Sequence, residues 1–204
     1  MLVLGIDEVG RGCLAGPLVV GAVALSVPIA GLKDSKLLSA KKRRHYDQLI
    51  RESAEYIGLG WVTASELDAI GLSKALKLAC ERAVMKLELT PDDVIIDGNV
   101  NYLDGKFNSR TLIKADSLIN AVSAASIVAK VARDEYMKSQ THNYPDYCFE
   151  TNVGYGSKTH IEAILNHGIC PLHRRSFEPV KTLLLNQNSA SVAGGPALST
   201  PLAR

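Results

Sequence analysis

Two adjacent carboxylates, Asp7 and Glu8, follow the apolar run Leu2 to Ile6, and a Gly10-Arg11-Gly12 turn comes directly after Val9. Two further aspartates follow apolar segments: Asp97 closes Val94-Ile95-Ile96, and Asp116 comes after Leu112-Ile113-Lys114-Ala115. Mg²⁺ and Mn²⁺ prefer oxygen donors and keep part of their water shell for substrate phosphates. Two such ions about 3.5–4 Å apart can support both the attacking and the leaving oxygen of a phosphodiester displacement. Glycines beside the acids let a backbone approach a phosphate chain closely. Together these residues point to metal-dependent cleavage of a nucleic acid. A single aspartate of this kind reads as a turn former or helix cap; three apolar strands each ending in an acid call for more. Neighbouring residues of a regular strand face opposite ways, so Asp7 and Glu8 are expected to share a site only if Glu8 already lies in the turn.

Competing chemistries find less support. Gly10-Arg11-Gly12-Cys13-Leu14-Ala15 formally matches the dinucleotide pattern G-x-G-x-x-A. A helix should start there, but Gly16-Pro17 leads into a β-rich run instead, and Asp7 and Glu8 would repel a pyrophosphate. No Gly-x-Ser-x-Gly nucleophile elbow and no His-Cys cluster is present. The four cysteines (Cys13, Cys80, Cys148, Cys170) are widely spaced, which argues against zinc or a disulfide framework and fits a reducing cytoplasm. The N-terminal apolar run stops at Asp7 and lacks a basic leader, so neither a signal peptide nor a membrane span is expected.

The acids need strands to carry them. With 204 residues, 47% hydrophobic and 22% charged, the chain has the size and composition of one globular domain. Strands are expected at Leu2 to Asp7, Leu18 to Ser26, Tyr56 to Val62, Val94 to Asp97 and Arg110 to Lys114. Helices are expected at Ala40 to Ala54, Ser73 to Leu89, Asn120 to Ser139, Thr159 to His167 and Pro179 to Leu185. Thr63 with Glu66 has the spacing of a capping box. In the Ala-rich Asn120 to Ser139 segment, Ser123, Ser126, Lys130 and Arg133 form one polar stripe. The order predicts an α/β fold, a mixed sheet flanked by helices with a helical C-terminal portion, over residues 1–185. From Asn186 to Arg204 the chain turns to Ser, Ala, Gly and Pro and reads as a disordered tail. Net charge is only +2, but seven bases lie between Lys33 and Arg51, and Arg174-Arg175 with Lys181 forms a second cluster. These read as solvated faces unless they flank the acids, where they would suit a polyanion.

Seven segments occur here in the order found in ribonuclease HII: Asp7-Glu8-Val9-Gly10-Arg11-Gly12, Asp34-Ser35-Lys36, Ile96-Asp97-Gly98-Asn99, Lys114-Ala115-Asp116-Ser117, Ser123 to Lys130, Gly154-Tyr155-Gly156 and His173 to Phe177. The chain resembles that family from Leu2 to Leu185. The resemblance implies an RNase H-like core and an endoribonuclease that cuts the RNA strand of RNA–DNA hybrids and 5′ to single ribonucleotides in duplex DNA. It implies two ions, Mg²⁺ or Mn²⁺, held by Asp7, Glu8, Asp97 and Asp116, and products with 5′-phosphate and 3′-hydroxyl ends. It also implies that Gly10, Arg11 and Gly12 read the 2′-hydroxyl, the group that separates RNA from DNA. Tyr155 would stack on the sugar of the following deoxynucleotide. Lys36, Ser123 and Lys130 join the substrate-binding set, Lys36 and Lys130 being equally readable as surface bases. Asp134 is expected to pair with Arg133 or a neighbouring base. Arg11 favours type HII over the sister type HIII, as does a motif beginning at residue 7. Cys13 stands where many relatives have Pro, and Val153 where a Lys is common. The tail has no aromatic pair of the clamp-binding kind, and a cytoplasmic monomer is expected. The rivals are a junction resolvase using the same acids and a binding module whose acids are structural.

Overall fold

The computed structural model describes residues 1–32, 38–103 and 105–193, with side chains described as far as 186. The run Leu18–Leu25 (β2) pairs antiparallel with Val3–Val9 (β1) on one side and with Tyr56–Val62 (β3) on the other. Asp93–Asp97 (β4) joins β1 in parallel, and Ser109–Leu112 (β5) joins β4 in parallel. The result is a five-stranded mixed sheet of order β3-β2-β1-β4-β5. Helices α1 (Ala40–Ser53), α2 (Ala64–Ile70), α3 (Leu72–Ala83), α4 (Ala115–Leu118) and α5 (Asn120–Ser139) complete the layers. The C-terminal portion adds α6 (Phe149–Asn152), α7 (Lys158–His167) and α8 (Val180–Ala193). The expected α/β architecture is the observed one.

Each face of the sheet has its own core. Leu4, Ile6, Leu18, Val20, Ala22 and Ala24 alternate onto one face, against Ala75, Leu76, Ala79 and Cys80 of α3. Val23 and Leu25 face the other way, against Ala121, Ala124, Ala125 and Val128 of α5 and Ile50 of α1. Helix α5 lies unusually close to the sheet: a Cβ on Gly5 would sit 2.2 Å from the Ala121 carbonyl carbon, and one on Gly21 2.4 Å from the Ala125 oxygen. Small residues on both partners therefore set the depth at which α5 carries its polar stripe past the end of β1.

Several boundaries depart from expectation. Strand β1 continues to Val9, because the apolar residues Val19 and Val20 of β2 pair with Val9 and Glu8. Glu8 is thus still in the strand, not in the turn. Helix α3 stops at Ala83, and Leu87 packs onto the core from the turn that follows. Asp116 does not end a strand; β5 stops at Leu112 and Asp116 lies in the first turn of α4. Ser157, not Thr159, caps α7, its hydroxyl accepting from the His160 N–H. Helix α8 is longer than the expected Pro179 to Leu185, running from Val180 to Ala193, and residues 194–204 of the expected tail lie outside the described residues. Lys36 and the Asp34-Ser35-Lys36 segment lie outside the described residues.

Candidate active site

The parallel pairing of β1 and β4 runs to Ile6 opposite Ile96, so Asp7 and Asp97 follow at one level on adjacent strands. Both project to the α5 face, while strand alternation sends Glu8 to the α3 face. Asp97 accepts the Ala115 N–H at 2.7 Å. That bond ties β4 to the first turn of α4 and so fixes the approach of Asp116. Asp7 accepts its neighbour's N–H, from Glu8, at 2.8 Å, and Ser126 bonds its carboxylate from α5. The Asp116 carboxylate accepts from the Ser117 hydroxyl at 3.2 Å. Asp7, Glu8 and Asp97 are near enough to act on one another electrostatically, and Asp116 approaches from the first turn of α4.

Their electrostatics are those of a negative cluster with little compensation. Burial pushes the Asp7 carboxyl well above the usual carboxylate range, and the charges of Glu8 and Asp97 add to the rise. Burial also raises Glu8, with Arg11 opposing and Asp97 adding. The Arg11 guanidinium stands 3.6 Å from Glu8, but its side chain is 61% exposed and contributes weakly. Lys130 pairs with Asp134 at 2.8 Å, as expected of that fifth acid. An all-oxygen donor set with unbalanced charge suits a hard divalent cation. Among the described residues, no three His, Cys, Asp or Glu side chains already converge as a metal-holding group. The donor chemistry fits such an ion, and binding it requires the carboxylates to draw together.

Beside the acids lies a cleft of about 210 Å³ lined by Glu8, Val9, Gly10, Arg11, Gly12, Ser126, Lys130 and Tyr155. Gly10 has φ +84°, and a Cβ there would strike the Arg133 Nε at 2.3 Å. Gly12 is different: its Cβ would meet nothing within 4 Å. Nothing in the chain itself demands a glycine there, whereas a ligand lying on the backbone would. Tyr155 is 40% exposed, with the Lys130 ammonium 5.2 Å from its ring centre. Burial pushes its phenol up to about 12, helped by the nearby Cys13, so the hydroxyl stays protonated. Cys13 itself is fully buried, its thiol at the Tyr155 hydroxyl.

Ser123, expected in the substrate-binding set, lies in the first turns of α5. It is buried, and its hydroxyl donates to the carbonyls of Asp116 and Ile119, steadying the segment that carries Asp116. Arg133 and Arg174 are also not surface bases, as both are 0% exposed. Arg133 donates to the carbonyls of Pro17 (2.9 Å), Val153 (2.8 Å) and Ala15 (3.0 Å). Arg174 donates to those of Gly16 (3.0 Å) and Arg11 (3.1 Å), and burial pulls its pKa down to about 10. The two arginines hold the Gly10–Pro17 loop against the Tyr155 segment. Val153, a β-branched residue at φ +44°, is held in left-handed backbone within that clasp. The basic face of α1 adjoins the same region, Arg43 and Arg44 sharing a surface groove with Asp134, Glu135 and Lys138. Arg175 stays at the surface, its N–H bonding Asp68.

A mixed sheet with acids at the ends of its two central strands and helices on both faces defines the RNase H-like class of fold. The Ribonuclease HII family profile matches residues 4–180. Ribonuclease HII of Shewanella pealeana is 46% identical over 88% of this chain and 89% of that protein. Among solved structures, ribonuclease H2 of Pyrococcus horikoshii OT3 superposes with a TM-score of 0.77 at 25% identity, over 92% of this chain and 99% of that one. RNase HII of Archaeoglobus fulgidus, solved in a complex with PCNA, gives 0.74 at 26% identity, over 87% and 96%. Bst-RNase HIII in complex with Mn²⁺ gives 0.72 at 23%, over 93% and 71%, a likeness of fold. This chain belongs to the ribonuclease HII family, and it is an RNase H-type endonuclease of RNA–DNA hybrids.

Proposed function

We propose that this protein cuts 5′ to single ribonucleotides embedded in duplex DNA, as well as the RNA strand of longer hybrids, leaving 5′-phosphate and 3′-hydroxyl ends. The observation that carries the reading is the cleft itself. It is lined by the Gly10–Gly12 turn, with the open backbone of Gly12, by Tyr155 and by Glu8, the strand neighbour of Asp7. Backbone groups at Gly12 meet the 2′-hydroxyl, where a Cβ would stand in the way. The Tyr155 ring, held under Lys130, stacks on the next sugar. Mg²⁺ or Mn²⁺, two ions held by Asp7, Glu8, Asp97 and Asp116, would supply activation of the attacking water and neutralisation of the departing 3′-oxygen. Asp97 and Ser123 keep the Asp116 segment in place through its backbone, and Ser126 orients Asp7. Lys130 and the α1 bases offer positive charge along the path of the duplex. All four acids come from one chain, which supports action as a monomer. Four cysteines without disulfides suit a reducing cytoplasm, and no described helix is long and apolar enough to cross a membrane.

The test is cleavage of a labelled duplex carrying one ribonucleotide, beside a long hybrid and an all-DNA control, with Mg²⁺, Mn²⁺ or EDTA. A metal-dependent cut 5′ to the ribonucleotide with the control intact is expected, and Asp7→Asn should abolish it while preserving the fold. Cleavage of the long hybrid alone would refute the junction-reading role of the Gly10–Gly12 turn. Retention of most activity by Asp7→Asn would refute the metal assignment.

A further inference from the structure

Two histidines outside the cleft are bonded to each other and to the backbone of Tyr155, which lines it. His160 and His173 are both buried, and their Nε2 atoms lie 3.0 Å apart. One of them must therefore donate. At one end of the pair, the Cys170 N–H points at His173 Nδ1 from 2.9 Å. A backbone N–H can only donate, and the Cys170 carbonyl, 3.3 Å from the same Nδ1, already accepts the His173 backbone N–H at 3.0 Å, so the shorter contact places the proton of that ring on Nε2. At the other end, His160 Nδ1 lies 2.8 Å from the Tyr155 carbonyl oxygen, which can only accept. His160 therefore carries its proton on Nδ1. Both ends impose the same direction: Cys170 N–H to His173, His173 Nε2–H to His160, His160 Nδ1–H to the Tyr155 carbonyl.

The surroundings keep both rings neutral. Phe149 stands edge-on to His160 at 5.4 Å, Tyr147 lies 5.0 Å from His173, and Tyr147 and Phe149 stack on each other. No carboxylate is bonded to either imidazole. Burial lowers the pKa of both, His173 to about 4, with His160 adding to its depression. An added proton on either ring would place two donors or two N–H groups face to face and break the chain.

We infer that His160 and His173 are positioning residues: a neutral, one-directional hydrogen-bonded pair that fixes the Tyr155 backbone, and with it the ring, over the Gly10–Gly12 turn. The inference rests on the reading of Tyr155 as a substrate-stacking residue. The pair reaches Tyr155 from α7 and from the segment before α8, so the C-terminal portion acts on the cleft without entering it. Asn152 holds the same short segment from its other end, accepting the Tyr155 N–H at 2.9 Å.

The test is a double-mutant cycle of Tyr155→Ala and His160→Leu, read as kcat/KM on the single-ribonucleotide duplex. Tyr155→Ala should cost about tenfold to a hundredfold, the range for loss of one aromatic stack. His160→Leu should cost a similar factor, and the double variant should be no worse than Tyr155→Ala alone. His160→Asn, whose amide can still donate to the Tyr155 carbonyl, should recover most of the loss. Independently of activity, ¹⁵N NMR of the unaltered protein should show His160 as the Nδ1–H tautomer and His173 as the Nε2–H tautomer. Multiplying losses, absence of rescue, or the reverse tautomers would overturn the positioning role while leaving the Tyr155 reading intact. Unchanged cleavage by Tyr155→Ala would instead overturn that reading, and the role of the pair with it.

Discussion

Replacing Arg133 with Met keeps the length and apolar stem of the side chain but removes every donor from a fully buried guanidinium. Three backbone carbonyls, those of Ala15, Pro17 and Val153, lose their charged partner together. A hydrogen bond from a charged donor contributes about 1.5–3 kcal/mol, and a buried acceptor left unpaired costs about 1–3 kcal/mol. Against this, Arg133→Met no longer has to desolvate a cation, which offsets several kcal/mol. The balance is a destabilisation of about 4 kcal/mol, a large share of the 5–15 kcal/mol typical of a domain. Urea unfolding followed by circular dichroism measures it, provided the m-value is unchanged. Amide exchange should also rise selectively at Leu14, Ala15 and Gly154, whose backbones zip together beside the lost contacts. A midpoint within about 1 kcal/mol of the parent, with exchange unchanged, would refute the claim that this arginine clasps the two loops.

Since folding depresses the pKa of His173 from 6.5 to about 4, the unfolded chain binds its proton first as pH falls. The neutral ring's contribution is complete above about pH 6.5 and is lost progressively towards pH 4, by about 3 kcal/mol in all. Asp7 and Glu8 shift upward and act in the opposite sense, so the measurement is the difference in stability between parent and His173→Asn across pH 4–7. A pH-independent difference would contradict the buried neutral pair. Gly60→Ala would place a Cβ 1.8 Å from the Ala79 carbonyl oxygen and 2.7 Å from the Ala83 nitrogen of α3. Backbone atoms cannot step aside, so a loss of about 3 kcal/mol is expected in urea titration; a loss below about 0.5 kcal/mol would show that α3 slides freely on the sheet.

What could be read from the chain depended on whether a local pattern determined it. Strand β3 and helix α5 have their expected bounds, one from its alternating pattern and the other from its alanine-rich run. The capping box of Thr63 and Glu66 is present on both sides. The acids were visible as chemistry, but the relation of Asp7 to Glu8 depended on how far β2 pairs along β1, which neither segment specifies alone. Leu87 kept the helical period without being helical, since its periodicity reports burial and not backbone. Arg133, Arg174 and the histidine pair were out of reach for another reason. A charged or lone polar residue normally belongs at the surface, and their partners lie more than a hundred residues away for the arginines, at Ala15, Gly16 and Pro17. Ser126 stood on the right stripe, but only the depth of α5 aims it at Asp7.

The clasp between Arg174 and the carbonyls of Arg11 and Gly16 has a bearing on the life of the chain during synthesis. The turn beside the acids of β1 is held by a guanidinium that leaves the ribosome some 160 residues after it. His173, which also bridges Ala15, arrives at the same moment. The sheet can assemble as its strands appear, but the cleft closes only after the segment carrying Arg174 has followed. A nascent chain is therefore expected to carry its acids without a completed groove until the segment bearing Arg174 has emerged and docked.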